Sequence, residues 1–97
     1  MSERRLRMGI AGLGRAFTLM LPTLVGDRRV QLVAAADPRA EATQRFAAEF
    51  GARAYDTVEA LCANPDVEVV YVATPHQHHA AHVAMATSRG KHVVVEK

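Results

Sequence analysis

Apolar and polar positions along the chain alternate between two textures. Short, nearly unbroken apolar runs occupy residues 6–11, 30–36 (VQLVAAA), 67–73 (VEVVYVA) and 92–95 (HVVV). Between them lie longer stretches in which apolar residues recur every three or four positions. The runs fit strands of a parallel sheet covered on both faces, and the periodic stretches fit the covering helices. A first helix is predicted over residues 14–21. Pro22 is expected to break or kink it before a turn through Gly26. Pro38 opens a second helix, reading PRAEATQRFAAEF, in which Ala42, Phe46 and Phe50 recur at spacing four and Gly51 is placed to cap the end.

Residues 53–55 read as a short third strand. Asp56 with Glu59 resembles a capping box that starts a short helix through Cys62. Asn64-Pro65-Asp66 turns the chain into the fourth strand. Residues 76–89 read as helix with Ala80, Val83, Ala84 and Thr87 on one face, and Gly90 ends it. Strands alternating with helices in this rhythm imply right-handed crossovers and one parallel sheet. There is no internal repeat, low-complexity segment or interdomain linker.

The first strand runs directly into Gly12-Leu13-Gly14, and Asp37 closes the second. This pair of features is the first half of a dinucleotide-binding βαβ unit. Gly12 suits a tight turn off the strand, Gly14 leaves room for a pyrophosphate, and the following helix aims free N–H groups at it. Asp37 stands where a carboxylate accepts hydrogen bonds from an adenosine ribose. Its other reading is an N-cap ahead of Pro38, and the two roles are compatible through different oxygens. The third position of the G-x-G-x-x-G/A fingerprint is Phe17, which must either point aside or push the helix outward. The predicted fold class is therefore α/β, a Rossmann-type doubly wound parallel sheet with strand order 3-2-1-4-5. Its ligand crevice lies between the first and fourth strands.

Composition narrows the function classes. The 97 residues suffice for one domain, and a formal charge of +2 with no aromatic-interleaved basic stripe argues against nucleic acid. Arg4, Arg5 and Arg7 read as a solvated arm ahead of the first strand. Cys62 is the only cysteine, so no internal disulfide forms; the expectation is an inert buried thiol and a cytoplasmic protein. No apolar run approaches a membrane span, so no membrane partner is expected. Homo-oligomerisation is left open.

A second group of signals sits at the ends of the fourth and fifth strands: ATPHQHH and GKHVVVEK. Together with AGLG and AAADP, these motifs resemble the glucose–fructose oxidoreductase, inositol dehydrogenase and MocA-like dehydrogenases over essentially the whole chain. Within that family, GLGRAFTLMLPTL and ATPHQHHAAHV look most like the phthalate dihydrodiol dehydrogenase branch. The resemblance implies NAD, with NADP less favoured because Asp37 would meet a 2′-phosphate with like charge. It implies that Gly12, Leu13, Gly14, Arg15, Ala16 and Phe17 hold the pyrophosphate and that Asp37 binds the ribose. Arg39 would stack on adenine or meet a 2′-phosphate. Thr74, Pro75, His76 and His79 would line the nicotinamide-ribose side, with Glu96 beside Lys97. Lys97 matches the lysine that orients a substrate hydroxyl or helps move its proton, since a cation stabilises the charge that develops as hydride leaves an alcohol carbon.

The parent reaction implied is hydride transfer between a secondary alcohol (a sugar, cyclitol or cis-dihydrodiol) and the nicotinamide. The family's proline after E-K, its last nucleotide-domain strand and its second domain do not appear in the chain. The expectation is a cofactor domain over residues 1–97, truncated after the fifth strand and inactive alone. A stand-alone nucleotide-binding or sensor module and an interaction fragment are the alternatives. The histidines of H-x-H-H-x-x-H share helical spacing, but no cysteine or carboxylate completes a metal set. His78 and His82 are expected on a solvated helix face, and no metal is predicted.

Overall fold

A computed structural model describes residues 4–95 of the chain. Its elements are β1 (Leu6–Ala11), α1 (Arg15–Gly26), β2 (Val30–Ala36), α2 (Ala40–Phe50), β3 (Arg53–Tyr55), α3 (Val58–Cys62), β4 (Val69–Val72), α4 (His79–Ser88) and β5 (His92–Val95), with a 3-10 turn at His76–His78 before α4. The five strands form one parallel sheet in the order β3-β2-β1-β4-β5, as the sequence pattern predicts.

Alternation along β1 sorts the core into two layers. Met8 and Ile10 face one side, where they join Phe17 and Leu24 of α1 and Phe46 of α2. Ala11 faces the other, with Leu61 and Cys62 of α3 and Ala86 of α4. Gly9 lies on that second face for a packing reason: a Cβ there would come within 2.9 Å of Leu61 Cδ1 and 3.1 Å of Val67 Cγ1. Burial pushes the Cys62 thiol up, as expected of an inert buried cysteine.

Several element boundaries differ from expectation. α1 does not stop at Leu21; it continues through Pro22 to Gly26. Pro22 removes the N–H that Thr18 O would accept, but both residues are exposed, so water can replace it. α2 starts at Ala40 rather than Pro38, because the Asp37 carboxylate accepts the Arg39 N–H (2.9 Å) and the chain turns once before the helix begins. Thr57, not Asp56, caps α3: Thr57 Oγ1 accepts the Ala60 N–H at 3.1 Å. β4 is shorter than the predicted 67–73, although Glu68 N–H to Arg7 O and Ala73 N–H to Ala11 O extend its backbone pairing.

The inward face of α4 carries His79, His82, Val83 and Ala86, whereas Ala80, Ala84 and Thr87 are exposed. The arginine arm is not merely solvated either. Arg4 pairs with Glu68, Arg5 Nη2 donates to Val30 O (2.7 Å) and Arg7 Nε donates to Asp66 O (2.7 Å).

Phe17 points aside rather than outward. It is 5% exposed, and its ring meets Phe46 at 5.9 Å between centroids. Phe17 therefore supplies core contact between α1 and α2 where the fingerprint has a small residue. Phe17→Ala should cost roughly 3–5 kcal/mol by cavity formation. In a domain with about 5–15 kcal/mol in total, this would appear as a large drop in the urea midpoint.

Candidate functional site

The carboxyl ends of β1, β2 and β4 converge on a cleft of about 860 Å³, at the point where the strand order reverses. That is where open α/β sheets take ligands, and the volume lies within the usual range for ligand sites. Its floor is the turn from β1 into α1. Gly12 has φ +95°, and a Cβ on it would lie 3.0 Å from both Ala73 C and Thr74 N, so conformation and close approach both demand glycine.

Gly14 differs. Its φ of −83° suits any residue, and nothing lies within 4 Å of where its Cβ would be. The only space a side chain at Gly14 would fill is open, and the residue lines the cleft. It also begins α1, whose N-terminus has no side-chain cap and no acidic residue in its first turn. The first-turn N–H groups there lack intrahelical partners. This geometry fits a pyrophosphate: a concave backbone with free donors and the positive end of a helix dipole.

The second wall is built on Asp37, only 7% exposed at the end of β2. Oδ2 accepts the Leu13 N–H at 2.9 Å. Oδ1 accepts both the backbone N–H (2.9 Å) and the Nε–H (3.0 Å) of Arg39. Arg39 Nη2 in turn donates to Leu13 O at 3.2 Å, so the peptide groups of the central loop residue are held from both sides. Burial alone would raise the Asp37 carboxyl. The Arg39 side-chain and backbone hydrogen bonds and the Leu13 N–H outweigh it and hold the carboxyl below its ordinary value.

The third wall comes from the end of β4 and from α4. Thr74 and Pro75 line the cleft with His78, His82 and Met85. Thr74 Oγ1 and His82 Nδ1 share a hydrogen bond of 2.7 Å, and His79 Nε2 lies 2.7 Å from Thr74 O. A carbonyl only accepts, so His79 carries its proton on Nε2. Burial lowers the His82 pKa, and the neighbouring His78 and His79 add to that effect.

Of the residues singled out from sequence, the cleft brings together Gly12, Gly14, Arg15, Ala16, Asp37, Arg39, Thr74 and Pro75. Leu13 contributes through its backbone, and Phe17 belongs to the core. His76 is exposed, with its ring 5.1 Å from that of His79, and His79 supports the wall from behind. Glu96 and Lys97 lie outside the described residues.

Sequence reasoning missed Asp56, Thr57, Val58 and Glu59, which line the cleft beside Asp37, and it misassigned His82 to a solvated face. Signals for both existed. Residues 56–59 follow a strand whose carboxyl end meets the same crevice. His82 is three residues from His79, so a helix that turns His79 inward turns His82 inward too. His78 and His82 stack at 5.7 Å, but among the described residues no group of three or more potential ligands forms a metal site.

Asp37 carries a testable pH signature. A carboxyl held below its ordinary value binds fewer protons folded than unfolded around that value. The stabilisation is therefore complete above about pH 4 and is lost as pH falls through the depressed native value. Asp37→Asn keeps an acceptor for Leu13 but not the charge. The stability advantage of the wild type over this variant, read from urea titrations, should be constant near neutrality and shrink on acidification.

Comparison with known proteins agrees with this architecture. The oxidoreductase family with an NAD-binding Rossmann fold, GFO/IDH/MocA, matches residues 6–97. The 1-carboxy-3-chloro-3,4-dihydroxycyclohexa-1,5-diene dehydrogenase of Comamonas testosteroni is 57% identical over 93 residues, covering 95% of this chain and 23% of that protein. The trans-1,2-dihydrobenzene-1,2-diol dehydrogenase of Mus musculus is 36% identical over 96 residues, covering 95% of this chain and 28% of that protein. Among solved structures, a 3-ketoreductase from Actinomadura kijaniata in complex with TDP-benzene and NADP superposes with a TM-score of 0.87 at 30% identity, covering 95% of this chain and 29% of that one. The chain thus spans about a quarter of the length of the relatives it matches. Among the described residues, no helix is long and apolar enough to cross a membrane. A family match over nearly the whole chain, on a parallel sheet of the expected order, means that the chain belongs to the GFO/IDH/MocA oxidoreductase family with its NAD-binding Rossmann fold.

Proposed function

We propose that this chain is the cofactor-binding part of a cytoplasmic dehydrogenase that moves a hydride between a secondary alcohol and a nicotinamide dinucleotide, with NAD preferred over NADP. The observation that carries the reading is Gly14. It has no conformational or packing need to be glycine, yet it leaves open space in the cleft at the uncapped start of α1. A pyrophosphate there would be held by the Gly12–Phe17 turn and first-turn backbone donors, with Arg15 within the same cleft. Likeness to dihydrodiol dehydrogenases supports a cyclic diol as substrate over an open-chain alcohol.

The preference for NAD rests on charge. Asp37, Asp56 and Glu59 all line the cleft, so a 2′-phosphate would add an anion to an acidic wall. For the ribose to reach Asp37, the side chain of Arg39 must give up its place on the carboxylate. That side chain is 55% exposed, so its release costs little, while the Leu13 N–H can stay on Oδ2. Thr74 and Pro75 would bound the nicotinamide-ribose side, with His76, His79 and Glu96 near it. Once bound, the nicotinamide ring accepts or donates the hydride. Lys97 would hold the substrate hydroxyl and stabilise charge on its oxygen as the proton leaves.

Two measurements test this reading. Gly14→Val should abolish NADH binding in a calorimetric titration while leaving the circular dichroism spectrum unchanged, because its backbone is extended and its Cβ meets nothing. Unchanged affinity would move the phosphate site elsewhere. The wild type should bind NADH more tightly than NADPH, and Asp37→Ala should reduce or reverse that order. Equal wild-type affinities would remove Asp37 as the discriminating group.

A further inference from the structure

Thr74 is gripped at three points where β4 ends. Its backbone N and its Cγ2 lie against Gly12, each 3.0 Å from where a Cβ on that glycine would sit. Its carbonyl accepts from His79 Nε2 at 2.7 Å. Its hydroxyl shares the 2.7 Å hydrogen bond with His82 Nδ1. The two histidines divide the work: His79 holds the backbone of Thr74, and His82 holds only its side chain. Both sit on the inward face of α4, where Val83 and Ala86 are otherwise apolar. An imidazole on such a face costs free energy unless it is hydrogen-bonded, and an apolar residue would fill the place more cheaply. His82 bonds the hydroxyl of Thr74, a residue that lines the cleft, and it lines the cleft itself.

We propose that His82 is a positioning residue for dinucleotide binding: through the Thr74 hydroxyl it fixes the β4 lip of the cleft, which bears on the nicotinamide half of the ligand and not on the adenosine half. The inference rests on the reading of the cleft as a dinucleotide site. Its geometry follows from the fold. Asp37 and the α3 start form the wall on the β2 side, whereas Thr74 and His82 stand on the β4 side, across the strand-order reversal. Loss of the His82 bond frees the Thr74 side chain to rotate. The Thr74 backbone stays in place because His79 still donates to its carbonyl, so the contact with Gly12 and the phosphate turn is preserved.

The test uses the 97-residue chain with NADH and ADP as separate probes, titrated by nicotinamide fluorescence and by calorimetry. His82→Leu should weaken NADH binding roughly three- to tenfold, the worth of one hydrogen bond, and leave ADP affinity within about twofold. His82→Asn, which keeps a polar group near the position of Nδ1, should recover most of the NADH affinity. Thr74→Val removes the same bond without altering α4 and should reproduce the selective loss, so the outcome does not depend on one variant folding. Undiminished NADH binding by both His82→Leu and Thr74→Val, a parallel fall in ADP affinity, or an Asn variant as weak as the Leu variant would overturn the role of His82. A wild-type chain that binds neither probe would overturn the dinucleotide reading and this inference with it. Wild-type binding of both probes leaves that reading standing whatever the variants do.

Discussion

The hydrogen bond from the Leu13 N–H to the Asp37 carboxylate is the constraint on which the cleft depends. It ties the turn after β1 to the turn after β2, segments 24 positions apart, just past the point where the strands pair at Ala11 and Ala36, and the Arg39 Nη2 bond to Leu13 O reinforces it. The carboxylate is nearly buried, and an unpaired charge there would be expensive. Four donor contacts occupy it: one from Leu13 and three from Arg39. The same contacts that make burial tolerable also set the shape of the glycine turn. Asp37 therefore organises the cleft on its own contacts, and on the proposed reading a ribose hydroxyl exchanges with the half-exposed guanidinium.

Three glycines near this turn show how one residue type answers three different physical demands. Gly9 leaves room for Leu61 and Val67, so α3 can lie close on the sheet. Gly12 meets a positive φ and the backbone of residues 73–74. Gly14 meets neither demand, and on the proposed reading it leaves room for the pyrophosphate. The fingerprint's third small residue is missing because its task, close packing of α1 on the sheet, is handled differently. Phe17 packs sideways onto Phe46 and extends the core instead of thinning it.

Much of this was legible in the sequence because the relevant signals are local and periodic. Apolar runs fixed the strands, and the G-x-G turn with Asp37 located the crevice. Element ends were less legible, because they are decided by contacts the sequence does not display. Pro22 stays helical since its missing N–H faces water, and α2 starts late since Asp37 engages Arg39 first. The rotational phase of α4 was misjudged for a similar reason. Alanines suit an inward face as well as an exposed one, so hydropathy alone favoured Ala80 and Ala84. The hydrogen bonds that Thr74 offers to His79 and His82 turn the helix the other way.

The arrangement of charge around the cleft separates binding from chemistry. An uncapped helix end and Arg15 make one part attractive to phosphate, while Asp37, Asp56 and Glu59 make the β2–β3 side acidic. The β4 lip is different: burial, and then the neighbouring His78 and His79, lower the His82 pKa and so disfavour its charged form. What such a lip does not supply is enclosure. Holding donor and acceptor carbons at near-attack distance is worth about 7–11 kcal/mol of a barrier. A cleft walled by strand ends, the starts of α1 and α3, and α4 can, on the proposed reading, hold a cofactor without surrounding an alcohol above it. On the proposed reading, the described residues provide cofactor affinity and discrimination, and the rate enhancement comes from groups brought over the nicotinamide from elsewhere in a longer protein.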